Sequence, residues 1–194
     1  MKRENIEDVY RLSPVQQGML FHAIYNPETG MYFEQFQQAI ESASWKPELG
    51  IAAWQQLVDR HPILRTSFLW EGLEEPVQLV HRRVTLPVTR EDWRQLPPAE
   101  QEAGLDRLMR GERSRGFDLT QAPLLRLAIV QLADAVHVML VSFHHLLLDG
   151  WSVGLVLREV TASYTALEAG EAPPSSNRRP FRDYIAWLLR QDLA

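Results

Sequence analysis

At 194 residues, with 45% hydrophobic and 23% charged side chains, the chain has an ordinary globular composition and enough length to bury a sizeable core. Its net charge of -5 opposes a general nucleic-acid binder, which needs a basic face to neutralise phosphates. The absence of cysteine excludes disulfides, thiolate metal sites and cysteine nucleophiles.

No transmembrane helix is evident, and Met1 to Asp8 is a charged start with no apolar signal segment behind it, so a cytoplasmic protein is expected. Residues 1–12 read as a polar lead-in that ends in a short extended piece, Asp8 to Leu12. Ser13-Pro14 then supplies a helix start, with Ser13 as cap and Pro14 in the first helical position. The helix should end before Asn26-Pro27 and carry Val15, Met19, His22 and Ala23 on its apolar stripe, which makes His22 a core histidine. Tyr32 to Ile40 is rich in strand formers. Pro47 to His61 has apolar positions 51, 54, 57 and 58 at helical spacing and is stopped by Pro62.

Behind that helix, Ile63 to Trp70 reads as a strand, Glu71-Gly72 as a turn region and Val77 to His81 as the hairpin partner. Arg65 lies inside this strand between Leu64 and Phe68. If buried it requires a carboxylate, because an unpaired buried charge is too costly; the pattern alone equally allows a solvent-facing arginine.

Residues 91–115 mix Trp93, Leu96, Leu105, Leu108 and Met109 with many charges around Pro97-Pro98. They predict a short helix or turn, then a helix from about Ala99 to Arg110, with Arg107, Arg110, Arg113 and Arg115 near its end complementing the helix dipole. A loop through Ala122-Pro123 leads to a strand over Leu124 to Leu132, and Ala133-Asp134 turns it into a second strand from Val136 to Phe143. That antiparallel hairpin delivers His144 and His145.

Side chains alternate across a strand, so the two imidazoles should face opposite sides, one structural and one free for chemistry. Leu146, Leu147 and Leu148 need burial, Asp149-Gly150 makes a turn, and Ser152 is placed to cap a helix running to about Ala169. Residues 170–180 are linker-like, with Pro173, Pro174, Ser175 and Ser176, and a last amphipathic helix follows from Phe181.

A metal site is disfavoured because adjacent strand histidines diverge and no further carboxylate with ligand spacing lies nearby. Ser142 shares His144's face but has no glycine-flanked elbow, and no zinc-protease or phosphate-loop pattern is present. What remains is a histidine acting alone as a base or hydrogen-bonding group.

His144-His145-Leu146-Leu147-Leu148-Asp149-Gly150 resembles the H-H-x-x-x-D-G motif of condensation domains from nonribosomal peptide synthetases. Arg60 to Phe68 resembles that family's R-H-x-x-L-R-T-x-F motif, and Leu12 to Leu20 its opening motif. The resemblance implies a chloramphenicol acetyltransferase-like α/β two-layer sandwich, of which residues 1–194 would be the N-terminal lobe, with the C-terminal lobe absent. It implies peptide-bond formation between a donor peptidyl thioester and an acceptor aminoacyl thioester, both on phosphopantetheine arms of carrier proteins, with no directly bound cofactor or metal. An adenylation domain would be a neighbour, with no nucleic acid or membrane as partner.

His145 is then the catalytic residue, accepting a proton, positioning the amine or stabilising the intermediate. His144 and Gly150 belong to the active-site motif, Gly150 as a backbone donor, and Asp149 pairs with Arg65 in a structural ion pair. The stretch Gln16 to His22 with Tyr32 to Gln35 is most similar to the subtype that follows an epimerization domain. The rival readings are a lobe of an epimerization domain, which shares the histidine motif, and a non-catalytic carrier-docking module.

Overall fold

Two sheets organise the chain in a computed structural model that describes residues 3–26, 30–172 and 179–191. The smaller sheet is antiparallel with strand order β1 (Ile6–Arg11), β4 (Val77–His81), β3 (Thr66–Leu69). The larger runs β2 (Phe33–Glu41), β7 (Val136–His144), β6 (Leu125–Ala133), β5 (Val88–Asp92), antiparallel except for the parallel β5–β6 pair.

The alternating pleat of β6 and β7 sends their side chains to two different layers. Leu125, Leu127, Ile129, Met139, Val141 and Phe143 join a core with Trp54, Leu57 and Val58 of α2 (Pro47–Arg60) and Val156 and Val160 of α4 (Gly150–Ala169). Each such fully buried aliphatic side chain contributes about 1.5–3 kcal/mol relative to exposure. The other face meets α3 (Pro98–Arg115): Gln35 Nε2 donates to the Met109 carbonyl and to Ser142 Oγ, both at 3.2 Å, and Arg126 is bonded to the Glu112 carboxylate. With both faces covered, β7 is buried from His137 to its last residue, His144.

Ser13 caps α1 (Pro14–Tyr25) as expected, accepting the Gln16 N–H while Gln16 Oε1 takes the Ser13 N–H in return. The buried face of α1 differs from the expected stripe. Gln16 and Leu20 point inward, Met19 and Ala23 are half-buried, and Val15 and His22 are exposed, so His22 is no core histidine. Asp149, not Ser152, is the N-cap of α4, its Oδ1 accepting the Ser152 N–H at 2.8 Å.

The expected strand Ile63 to Trp70 begins as a 3₁₀ turn, Pro62–Arg65, and becomes β3 only at Thr66. Strand β5 carries Thr89, Arg90, Glu91 and Asp92 and has no hydrophobic alternation to announce it; backbone pairing to β6 makes it a strand. Helix α3 reaches Arg115, and Gly104 within it lets the Trp93 indole approach to where a Cβ would stand 2.8 Å away. Of the linker-like stretch, residues 173–178 lie outside the described residues; α5 (Phe181–Leu188) follows it.

Candidate active site

Strand β7 ends at His144, and the chain turns through His145, Leu146 and Leu147 before α4 begins. The opposite-face expectation is met in space. His144 is 5% exposed and stays on the α3 side with Ser142, while His145 is half-buried and lines a cavity of about 1000 Å³. Met19, Ile63, Leu147, Val156 and Trp187 give that cavity apolar walls.

His144 is tied into the turn it starts. Its N–H donates to the Leu124 carbonyl (3.0 Å), its carbonyl accepts the Leu147 N–H (3.0 Å), and its Nδ1 accepts the Leu146 N–H (3.2 Å). An acceptor Nδ1 puts the proton of the neutral ring on Nε2. Burial, helped by the His145 charge, lowers the His144 pKa to about 4, so the ring is neutral and structural at neutral pH.

His145 is held by its backbone. Its N–H donates to the Tyr32 carbonyl at 2.8 Å, while its Nδ1 is buried with no hydrogen-bond partner among the described residues. Tyr32 has φ of 66°, a left-handed conformation costly for a bulky residue, and its ring lies edge-on to the His145 ring at 6.4 Å. That conformation sits beside His145 and is enforced by the strand that Tyr32 leads into. On the far side of His145, Gln16 Nε2 donates to the Leu146 carbonyl at 3.1 Å. The sequence reading missed both holding groups; the Ser-x-x-Gln spacing signals the cap made by Gln16 but not its reach to residue 146.

The expected Asp149–Arg65 ion pair does not form. Arg65 is buried, and its carboxylate is Glu7, at 2.7 Å from the guanidinium, with further donation to the carbonyls of His81 and Arg82. Asp149 is exposed, contrary to the buried loop expected, and needs no buried cation because water and the α4 N-terminus satisfy it. Hydrogen bonding from Ser152 holds its carboxyl below the ordinary carboxylate value. Gly150 follows as the first residue of α4, with open space where a Cβ would stand.

Elsewhere on the cavity wall, His61 Nε2 and Glu159 Oε2 are 2.7 Å apart, with Arg60 3.4 Å from the same oxygen. No group of three or more histidine or acidic side chains is arranged to hold a metal ion among the described residues. Nor is any described helix long and apolar enough to cross a membrane.

A family model described as "Condensation domain" matches residues 6–193. One linear gramicidin synthase polypeptide of Brevibacillus parabrevis is 48% identical over 187 residues, 96% of this chain and 4% of the relative. Another linear gramicidin synthase polypeptide from the same organism is 47% identical over 188 residues, 97% of this chain and 4% of the relative. Among solved structures, the starter condensation domain of rhizomide synthetase superposes with a TM-score of 0.83 at 23% identity, covering 97% of this chain and 46% of that one. The first condensation domain of the calcium-dependent antibiotic synthetase gives 0.82 at 20% identity, covering 94% and 45%. The chain thus spans under half of each structure and a few per cent of each synthase.

Proposed function

Because the chain belongs to the condensation-domain family and has one lobe of its chloramphenicol acetyltransferase-like α/β fold, we propose that it serves peptide-bond formation in nonribosomal peptide synthesis. It acts as the N-terminal lobe, residues 1–194, against a second lobe that completes the site. The acceptor's α-amine attacks the carbonyl carbon of the donor thioester. The C–N bond forms, the C–S bond breaks, the donor's phosphopantetheine thiol leaves and the amine gives up a proton. Two carrier proteins bring these arms into a cytoplasmic assembly, with an adenylation domain as neighbour.

His145 is the catalytic group, hydrogen-bonding the acceptor amine and keeping it neutral for attack. Histidine suits this because its ring exchanges protons near neutral pH. Gly150 offers a backbone N–H for the carbonyl oxygen as it gains charge. One observation supports the reading above the rest: of two adjacent histidines, His144 is bonded into the fold and His145 borders the cavity. The stretch Gln16 to His22 with Tyr32 to Gln35 favours the subtype that follows an epimerization domain.

The test is product formation by the complete domain with both carriers loaded. His145→Ala should lose about a hundredfold or more in rate while folded, and a donor ending in a D-residue should outrun its L-counterpart. A well-folded His144→Ala without activity beside an active His145→Ala reverses the assignment. Exchange of the α-proton of one carrier-bound residue with solvent, and no bond formation, identifies an epimerization lobe. Carrier binding without either reaction identifies a docking module.

A further inference from the structure

We propose that Gln16 is a positioning residue for His145, its side-chain amide pinning the peptide that follows the histidine. Gln16 is 5% exposed at the third position of α1. Its Oε1 accepts two donors, the Ser13 N–H at 3.0 Å and Gln78 Nε2 at 3.1 Å. Two donors on one end of a carboxamide fix its orientation, because flipping it would set the NH₂ against them. Nε2 must therefore face the Leu146 carbonyl, where it donates at 3.1 Å.

Leu146 is thereby held at both polar groups, its N–H by His144 Nδ1 and its carbonyl by Gln16, while Tyr32 holds the N–H of His145. The backbone on both sides of His145 is fixed by elements from the first 32 residues, and a fixed backbone sets the direction of the imidazole. Reaction rates are steep in such placement. Without Gln16 Nε2, the buried Leu146 carbonyl loses its partner and the turn must shift to rehydrate it, swinging His145 away from the cavity position.

The inference rests on His145 as the reacting group, but its test does not need turnover. Gln16→Glu keeps the acceptors that complete the helix cap and receive Gln78, and when ionised it replaces the donor to Leu146 with an oxygen that repels the carbonyl. In the chain with isotope-labelled histidine, the His145 ring resonances should move and the Leu146 amide should exchange about tenfold faster. Protonating the introduced carboxyl at mildly acid pH restores a donor and should bring both readouts back to those of the wild-type chain at the same pH. Gln16→Ala should show the same changes irreversibly, with a lower melting temperature because the cap is lost as well. In the complete domain, Gln16→Glu should lower kcat about tenfold and leave KM for the loaded carriers unchanged.

A folded Gln16→Glu chain with unaltered His145 resonances and Leu146 exchange overturns the inference. So does an altered ring with unaltered kcat. A wild-type complete domain that forms no peptide bond defeats the reaction reading instead, leaving the tether to be decided by the resonances.

Discussion

Arg65 and Asp149 carry opposite charges in two of the motifs that mark this chain, yet they occupy opposite kinds of environment. Around Arg65 the fold is closed. Arg65 is 5% exposed, its guanidinium bonded to Glu7 and two backbone carbonyls, and beside it Ser67 Oγ and His81 Nε2 lie 2.8 Å apart. Burial first, and then the Arg65 charge, push the His81 pKa down, which favours the neutral imidazole. Around Asp149 the fold is open: the carboxylate faces solvent and organises only the first turn of α4. A buried charge must be answered from within the fold, whereas an exposed one is answered by water. The first corner therefore stabilises the lobe, and the second leaves a solvent-facing charge at the start of α4, four residues after His145.

Substitutions at the two corners should separate accordingly. Arg65→Ala should cost about 3–5 kcal/mol, because it strands two carbonyls and removes a buried cation's network. For a chain of this size that is a fall in melting temperature of roughly 10 °C, measurable by differential scanning calorimetry. A loss below 1 kcal/mol would show the corner to be less closed than its bonds indicate.

Acid should attack the closed regions next. His144 has a folded pKa of about 4, below its unfolded value near 6.5, so the unfolded chain binds more protons between those limits. Its contribution is complete above about pH 6.5 and is lost as pH falls toward 4, by roughly 3 kcal/mol in all. His81 adds loss of the same sign. Urea unfolding at pH 7.5 and pH 4.5 should show it, and His144→Asn, which keeps an acceptor for the Leu146 N–H but does not titrate, should flatten the dependence.

The smallest effect belongs to the open corner. Asp149→Ala should cost about 1 kcal/mol for the lost cap, and Asp149→Asn a few tenths. Combined with Arg65→Ala, the losses should add within about 0.5 kcal/mol. Coupling well beyond that in a double-mutant cycle would restore the ion pair that the family resemblance implied.

Much of this was readable in advance for local reasons. Ser13-Pro14, Pro62 after α2 and the Ala133-Asp134 turn are decided by neighbours in sequence, and each boundary fell within a few residues of its expected place. The opposite facing of His144 and His145 follows from strand geometry. Strand β5 was illegible because a strand of Thr, Arg, Glu and Asp at a sheet edge has no buried face to pattern. The partner of Arg65 was illegible for another reason: Glu7 is 58 positions away, in strand β1, and a carboxylate in a polar lead-in carries no mark of its destination. Gln16 stands out in sequence only as part of a motif, since nothing local reveals a bond to residue 146.

The sheet order also sets when the site can exist. Phe33 pairs with His144, Tyr32 waits for His145, and Gln16 waits for Leu146. While the chain is being synthesised, β1 can pair with β4 early, but Gln16, Tyr32 and β2 emerge long before the residues they must hold and stay unclaimed until β7 and the turn after it appear. Such distant pairings are slow to close. The histidine turn therefore cannot assemble until residue 146 has emerged to meet partners made more than a hundred residues earlier, and a chain cut short before it keeps α1, α2 and α3 but lacks the turn and α4.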